Sequence, residues 1–462
     1  MLINGHYYSD KHPLIPLIGV PIYSSIKAIS YLFGLGDSSI LNDGYVVNFR
    51  DNNGEALIFQ DIYLSWIHSM SMFIVVALLS CLPAALSIII LYRILKQFTR
   101  TENTRLWVTA TYALGTLAFP YSLLFFGYSL SSFFYLISFY LIFTSKKTKW
   151  NLVLSGILMG FSFTSDSTFL LAIIPLFFYV LVKYRVKTAY FLLGFLVTMI
   201  PLYLFYYSIV KGEALVPHKQ MYEMDIWGDY FTTVNSKEFL DSKTVIPLFQ
   251  EKKIVLDFWI VIHSLFYPYR GIFFYYPVLL FSILGLVHMR KKYRAYMHIL
   301  LFQLALALLV ISSFNLFWHG NIFGLRYFYP LMLLLMIPLA IAFDNISSGY
   351  RNVFYLFVFV SIFTNVLGLQ NFENEISSGE GILATPENSI NLRDYFYNPL
   401  LEHYLPLTLA NGPRSRLIEN LLDFDGGLDI RDVPYSKGVL SSPYVRKEYV
   451  HLATVSGFGF LV

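Results

Sequence analysis

Along this chain the apolar residues run in long blocks from which charge is missing. Arg, Lys, Asp and Glu are absent from 66–92, 106–144, 188–210, 295–325 and 352–372. A helix rises about 1.5 Å per residue, so crossing a hydrocarbon core ~30 Å thick takes about 20 residues, and blocks of this length predict membrane-spanning helices. Divided at their turn residues, the blocks and the less pure runs between them predict ten spans. These lie near 66–92, 106–122, 127–144, 150–164, 167–183, 188–209, 272–289, 296–314, 327–343 and 352–370, with the 106–144 block turning near Pro120–Gly127. The stretch 13–33, with Pro13, Pro16 and Pro21 leading into an apolar run, predicts an interfacial helix, because another span would upset the alternation of loop charge. The expected fold is an all-α membrane protein in three parts: a segment 1–65, a bundle 66–370 with a long loop 210–271, and a segment 371–462.

Charge sets the expected sidedness. Arg93, Lys96, Arg100 and Arg105 follow the first span; Lys146, Lys147 and Lys149, then Lys183, Arg185 and Lys187, then Arg290, Lys291, Lys292 and Arg294, and finally Arg351 follow alternate later ones. The turns between, 119–126, 165–166 and 315–325, carry neither Lys nor Arg. Short positive loops are retained inside, so the first set is expected to be cytoplasmic, and 1–65, 210–271 and 371–462 to lie on the outer face of a cytoplasmic membrane. With 56% hydrophobic and 13% charged residues, a soluble surface is excluded. A net charge of +4, scattered through the loops, points to no nucleic-acid partner. The single cysteine, Cys81, excludes internal disulfides and a cysteine-based metal centre. The chain also lacks HExxH, Walker, G-x-S-x-G and CxxC patterns.

Ionisable groups at membrane depth are costly, and those at the ends of spans are functional candidates. Here they fall on one side: Asp166, Arg270, His319 and Arg326 at outer span ends, and His6, Asp10, Lys11 and His12 in the N-terminal segment. Asp166, in Thr164-Ser165-Asp166-Ser167-Thr168, fits a helix cap and leaves room for a binding role as well. Arg270 and Arg326 fit snorkelling to headgroups singly, but with a lysine on the same face they offer fork and point-charge contacts to a phosphate. His68, His263 and His288 are isolated and fit ordinary helix roles. Asn345-Ile346-Ser347 matches a glycosylation sequon on the expected cytoplasmic side.

Three stretches resemble the polytopic glycosyltransferases that use polyprenyl-phosphate sugars, the superfamily of protein O-mannosyltransferases and lipid A aminoarabinose transferases. Gly5-His6-Tyr7-Tyr8-Ser9-Asp10-Lys11-His12-Pro13 is similar to the tyrosine and lysine-proline element ahead of an interfacial helix. Tyr267-Pro268-Tyr269-Arg270-Gly271 is like an arginine-glycine turn entering a later span, and Trp318-His319-Gly320-Asn321-Ile322-Phe323-Gly324-Leu325-Arg326-Tyr327 is like the turn near the end of the membrane domain. Phe126-Gly127-Tyr128-Ser129-Leu130 is a weaker echo. The resemblance implies the GT-C fold, a helix bundle with its site on the outer face, and covers roughly 5–345.

On that resemblance Lys11 holds the donor phosphate with Arg270 and Arg326 as companions, while Tyr8, Tyr128, Asp166 and His319 contact substrate. The implied donor is a polyprenyl-phosphate sugar, the acceptor a saccharide, lipid or protein, and no metal ligand set is assigned. The family's acidic base precedes the lysine element, whereas here only ten residues precede Lys11. The expectation is that Met1 is internal to a longer protein, with Asp10 as the substitute base inside the chain as given. A lipid-linked saccharide flippase and a catalytically inactive subunit of the same fold stand as competing readings.

Overall fold

The computed structural model describes residues 2–3, 6–7, 12–33, 46–50, 56–60, 66–143, 148–209, 258–268, 270–313, 323–370, 398 and 400–411. Helices dominate, with two short antiparallel hairpins near the N-terminus: β1 (Leu2–Ile3) with β2 (His6–Tyr7), and β3 (Val46–Arg50) with β4 (Ala56–Gln60).

The helices follow the charge-free blocks. α1 is Leu14–Leu32, and α2 (Trp66–Val76) joins α3 (Leu82–Leu95) through a π turn at Ala77–Cys81. α4 (Glu102–Leu114) is capped by the Thr101 side chain, which accepts from the Thr104 N–H. The short α5 (Ala118–Ser122) bridges to α6 (Tyr128–Phe143). α7 (Lys149–Ser165), α8 (Leu170–Tyr184) and α9 (Thr188–Ile209) follow, then α10 (Phe258–Phe266), α11 (Ile272–Tyr275), α12 (Leu280–Lys292) and α13 (Arg294–Ser313). α14 (Tyr329–Asn345), α15 (Ser348–Gln370) and the short α16 (Leu405–Asn411) complete the described helices.

All ten predicted segments are helical, but six helical runs are long and apolar enough to cross a membrane by length and composition: Leu14–Leu32, Ser71–Leu95, Ser167–Phe205, Arg294–Ser312, Arg326–Asn345 and Ser348–Leu369. One of these runs and one expected span differ from expectation. The helix read as interfacial, α1, reaches spanning length; its N-terminal half packs Leu14 and Ile15 on Val75, Leu79 and Leu130, while Leu32 and Phe33 are exposed. The expected span 106–122 stops instead at Leu114, and the backbone turns through Gly115 before α5.

α14 runs through the middle of the bundle. Every residue from Tyr329 to Phe343 is buried, as expected for a helix apolar on all sides. α12 approaches it closely at Gly285, where an added Cβ would overlap the Pro338 carbonyl. α7 meets α9 in the same way, at Gly156, Gly160 and Gly194, and α6 meets α7 through paired serines: Ser162 donates to the Ser131 carbonyl at 2.9 Å, and Ser138 to Ser155 O at 2.9 Å.

The two ends of this bundle differ in chemistry. At one end the Arg100 N–H donates to the Asp344 carboxylate at 2.7 Å, Tyr293 donates to Gln97 O at 3.2 Å, and Arg351 lies over the Phe343 ring. The Lys/Arg loops after α3, α12 and α14 therefore meet there. At the other end the turns without Lys or Arg converge: Tyr121 donates to Phe323 O at 3.0 Å, and Gly127 abuts the Ser165 carbonyl.

Candidate functional site

The end opposite the Lys/Arg loops gathers four of the residues singled out by sequence or the segments that carry them. Gly127 lets the turn into α6 press against the C-terminal end of α7; a Cβ there would overlap Ser165 O and come within 3.1 Å of Asp166 Cβ. Tyr128, the next residue, is therefore set beside Asp166, and its hydroxyl feels the charges of both Asp166 and Arg326. Arg326 opens the turn into α14. Its NH2 donates to the Tyr327 hydroxyl at 2.9 Å and its guanidinium lies 4.9 Å from the Tyr327 ring centroid. Its Nε is buried with no hydrogen-bond partner among the described residues.

Asp166 does cap. Its Oδ1 accepts from the Thr168 N–H at 2.9 Å and from the Thr168 hydroxyl, which ties the carboxylate to the short turn Ser167–Phe169 that starts α8. The side chain stays half-buried beside Tyr128. Arg270 is only 4% exposed and sits just before Gly271, where the backbone doubles back so that Gly271 N–H donates to Tyr267 O at 2.7 Å. Its segment reaches the Arg326 turn: Tyr275 packs on Phe323 with ring centroids 5.8 Å apart, and the Tyr276 hydroxyl lies beside Gly324. Gly324 takes φ +73, a left-handed conformation that glycine adopts without penalty.

Tyr8, Asp10, Lys11 and His319 lie outside the described residues, as do most of the loop 210–271 and of the segment 371–462. His12, the residue after Lys11, is described and reaches the site: its Nε2 accepts from the Ser167 N–H at 3.1 Å. The isolated histidines take ordinary roles where they are described. His263 stacks on Tyr267 at 3.8 Å, and His288 donates from Nδ1 to Leu284 O at 2.8 Å.

Beneath this turn cluster lies a tyrosine floor, of which Tyr128 alone was singled out by sequence. Tyr121, Tyr128 and Tyr329 have ring centroids 5.0–6.1 Å apart, with Phe169 and Phe126 at the edges. The hydroxyls of Tyr112 and Tyr329 are buried with no hydrogen-bond partner among the described residues. Nothing in the spacing of these tyrosines marks them; they meet because the breaks at Gly115, Gly127 and Gly324 bring three helix ends together. Among the described residues no group of three or more His, Cys, Asp or Glu is placed to hold a metal ion.

These features define a multi-pass helical membrane protein with a mixed aromatic, cationic and acidic cluster at the end opposite its Lys/Arg loops. Compared with known proteins, the chain matches no family model, no curated protein and no solved structure.

Proposed function

We propose that this protein is a membrane glycosyltransferase that moves a sugar from a polyprenyl-phosphate donor to an acceptor at the outer face, in a GT-C-like bundle of about ten spans. The observation that carries the reading is the buried Nε of Arg326, which has no partner among the described residues and stands near Tyr128 and Tyr327. A desolvated cation is costly until an anion completes it, and a guanidinium fork suits a phosphate whose charge grows as the lipid leaves. The motif resemblance around Gly324-Leu325-Arg326-Tyr327 and the one-sided Lys/Arg loops support the same assignment.

In this mechanism Arg326, Arg270 and Lys11 bind the donor phosphate, and Asp10 serves as base to the acceptor hydroxyl as it attacks the anomeric carbon. Tyr8, Tyr128, Asp166 and His319 orient the sugar or acceptor. The aromatic floor under the site presents flat apolar faces of the kind that sugar rings stack against.

The test is donor turnover by the protein in lipid vesicles, read as release of polyprenyl phosphate from a labelled polyprenyl-phosphate sugar. Wild type is expected to turn over. Lys11→Ala and Arg326→Gln should each fall by about a hundredfold or more, the scale for losing one charge-stabilising donor in a transition state, with Arg326→Lys losing less. Wild-type turnover in either variant removes that residue from the site. Donor binding without turnover would replace this reading with the inactive-subunit one, and movement of intact donor across the bilayer would replace it with the flippase.

A further inference from the structure

His12 is half-buried where the N-terminal segment enters α1, and three elements face it. From the turn after α7, the Ser167 N–H donates to its Nε2 at 3.1 Å; from α9, the Tyr203 hydroxyl lies 3.4 Å from its Nδ1; from α7, the Phe163 ring packs at 6.4 Å. An Nε2 that accepts carries no proton. The ring's one proton is therefore on Nδ1, facing the Tyr203 oxygen, and the imidazole is neutral.

We infer that His12 is a positioning residue: the neutral imidazole clips the N-terminal segment to the Asp166–Ser167 turn, and with it Lys11, one peptide bond away. Among the described residues, the titratable groups on the elements facing it include Tyr203 on α9 and Asp166 beside Ser167, and Asp10 and Lys11 precede it in sequence. Asp166 already spends Oδ1 on Thr168. Its negative charge favours the protonated ring, but protonation sets one N–H against another at Ser167 and removes the acceptor that makes the clip. The clip therefore holds while the ring is neutral and is lost when the ring takes up a proton. The consequence for transfer rests on the proposed function; the clip itself does not.

The experiment uses the full chain in lipid nanodiscs and brief trypsin treatment at pH 8. Mass spectrometry follows release of the peptide ending at Lys11, relative to the same chain denatured at the same pH. Losing one hydrogen bond of ordinary net strength predicts cleavage about fivefold faster in His12→Ala than in wild type at pH 8. His12→Gln, whose Oε1 accepts at the same reach as Nε2, should match wild type at pH 8. A His12→Ala chain as protected as wild type, or a His12→Gln chain as open as His12→Ala at pH 8, overturns the clip. If the cleavage pattern appears while wild type turns over no donor, the clip stands and the transferase reading falls. If donor turnover is present, His12→Gln should restore the kcat that His12→Ala loses.

Discussion

Asn365 ties three parts of the described structure together. Its side-chain nitrogen donates to Leu114 O at 2.7 Å and to Thr116 O at 2.8 Å, satisfying the carbonyls freed where α4 ends, and its oxygen accepts from the Tyr276 hydroxyl at 3.1 Å. One fully buried amide thus holds α15 to the break after α4 and to the turn that leads from Arg270. Replacing it by leucine strands two carbonyls and a hydroxyl where water does not reach. Asn365→Leu should lose about 2–4 kcal/mol of stability and Tyr276→Phe about 1 kcal/mol, read as the ratio of their Tm decreases in detergent. Equal decreases would show that the amide carries no more than a single bond. Neither residue stood out in the sequence. Asn365 is a lone polar residue in a charge-free block, which is a signal of cost, but the carbonyls it satisfies lie about 250 positions away and no pattern names them. Asp166 was more legible, because a capping side chain bonds its own neighbours and the Ser-Asp-Ser-Thr run states the geometry locally.

The tightest helix pair, α7 with α9, is built on small residues. Gly156 and Gly160 are spaced by three residues on α7, and Gly194 answers them from α9; a Cβ at Gly156 would overlap Phe191 O, and one at Gly194 would overlap Val153 O. Between apolar helices in lipid there is no hydrophobic gain from association, so close backbone approach and the packing it allows supply the attraction. Gly156→Leu should force the helices apart, costing about 1–3 kcal/mol, with a larger loss for Gly156→Leu/Gly194→Leu. Gly349 in α15, where a Cβ would meet nothing within 4 Å, provides the control: Gly349→Ala should be neutral or up to about 1 kcal/mol stabilising through helix propensity alone. Both are checked by thermal unfolding in one detergent, and a Gly156→Leu chain as stable as Gly349→Ala would refute the close packing. Sequence gave the helices through their charge-free length, and it carries the Gly-x-x-x-Gly spacing, yet that spacing does not say which helix it meets. The π turn at Ala77–Cys81 and the break at Gly115 were invisible for the opposite reason, being set by tertiary contacts such as the Cys81 thiol donating to Ser122 O at 3.2 Å.

At the scale of the whole molecule, hydropathy and charge combine into one statement about orientation. Alternate loops carry Lys and Arg, and the structure brings those after α3, α12 and α14 to a common end while the turns at Gly127, Asp166 and Arg326 share the other. Retention of positive loops on the inside during insertion predicts that the Arg326 end faces outward. Single cysteines in a Cys81→Ser background read this directly. Lys291→Cys and Ser347→Cys, both exposed at the charged end, should react with a membrane-impermeant maleimide in inverted vesicles and not in intact cells; Leu123→Cys, exposed in the opposite turns, should do the reverse. Labelling of positions 291 and 347 from opposite faces would break the bundle's common end. Labelling of all three with sides exchanged would leave the bundle intact but turn the Arg326 cluster toward the cytoplasm, where a lipid-linked donor would have to be met from the inner leaflet and the resemblance to outer-face transferases would lose its footing.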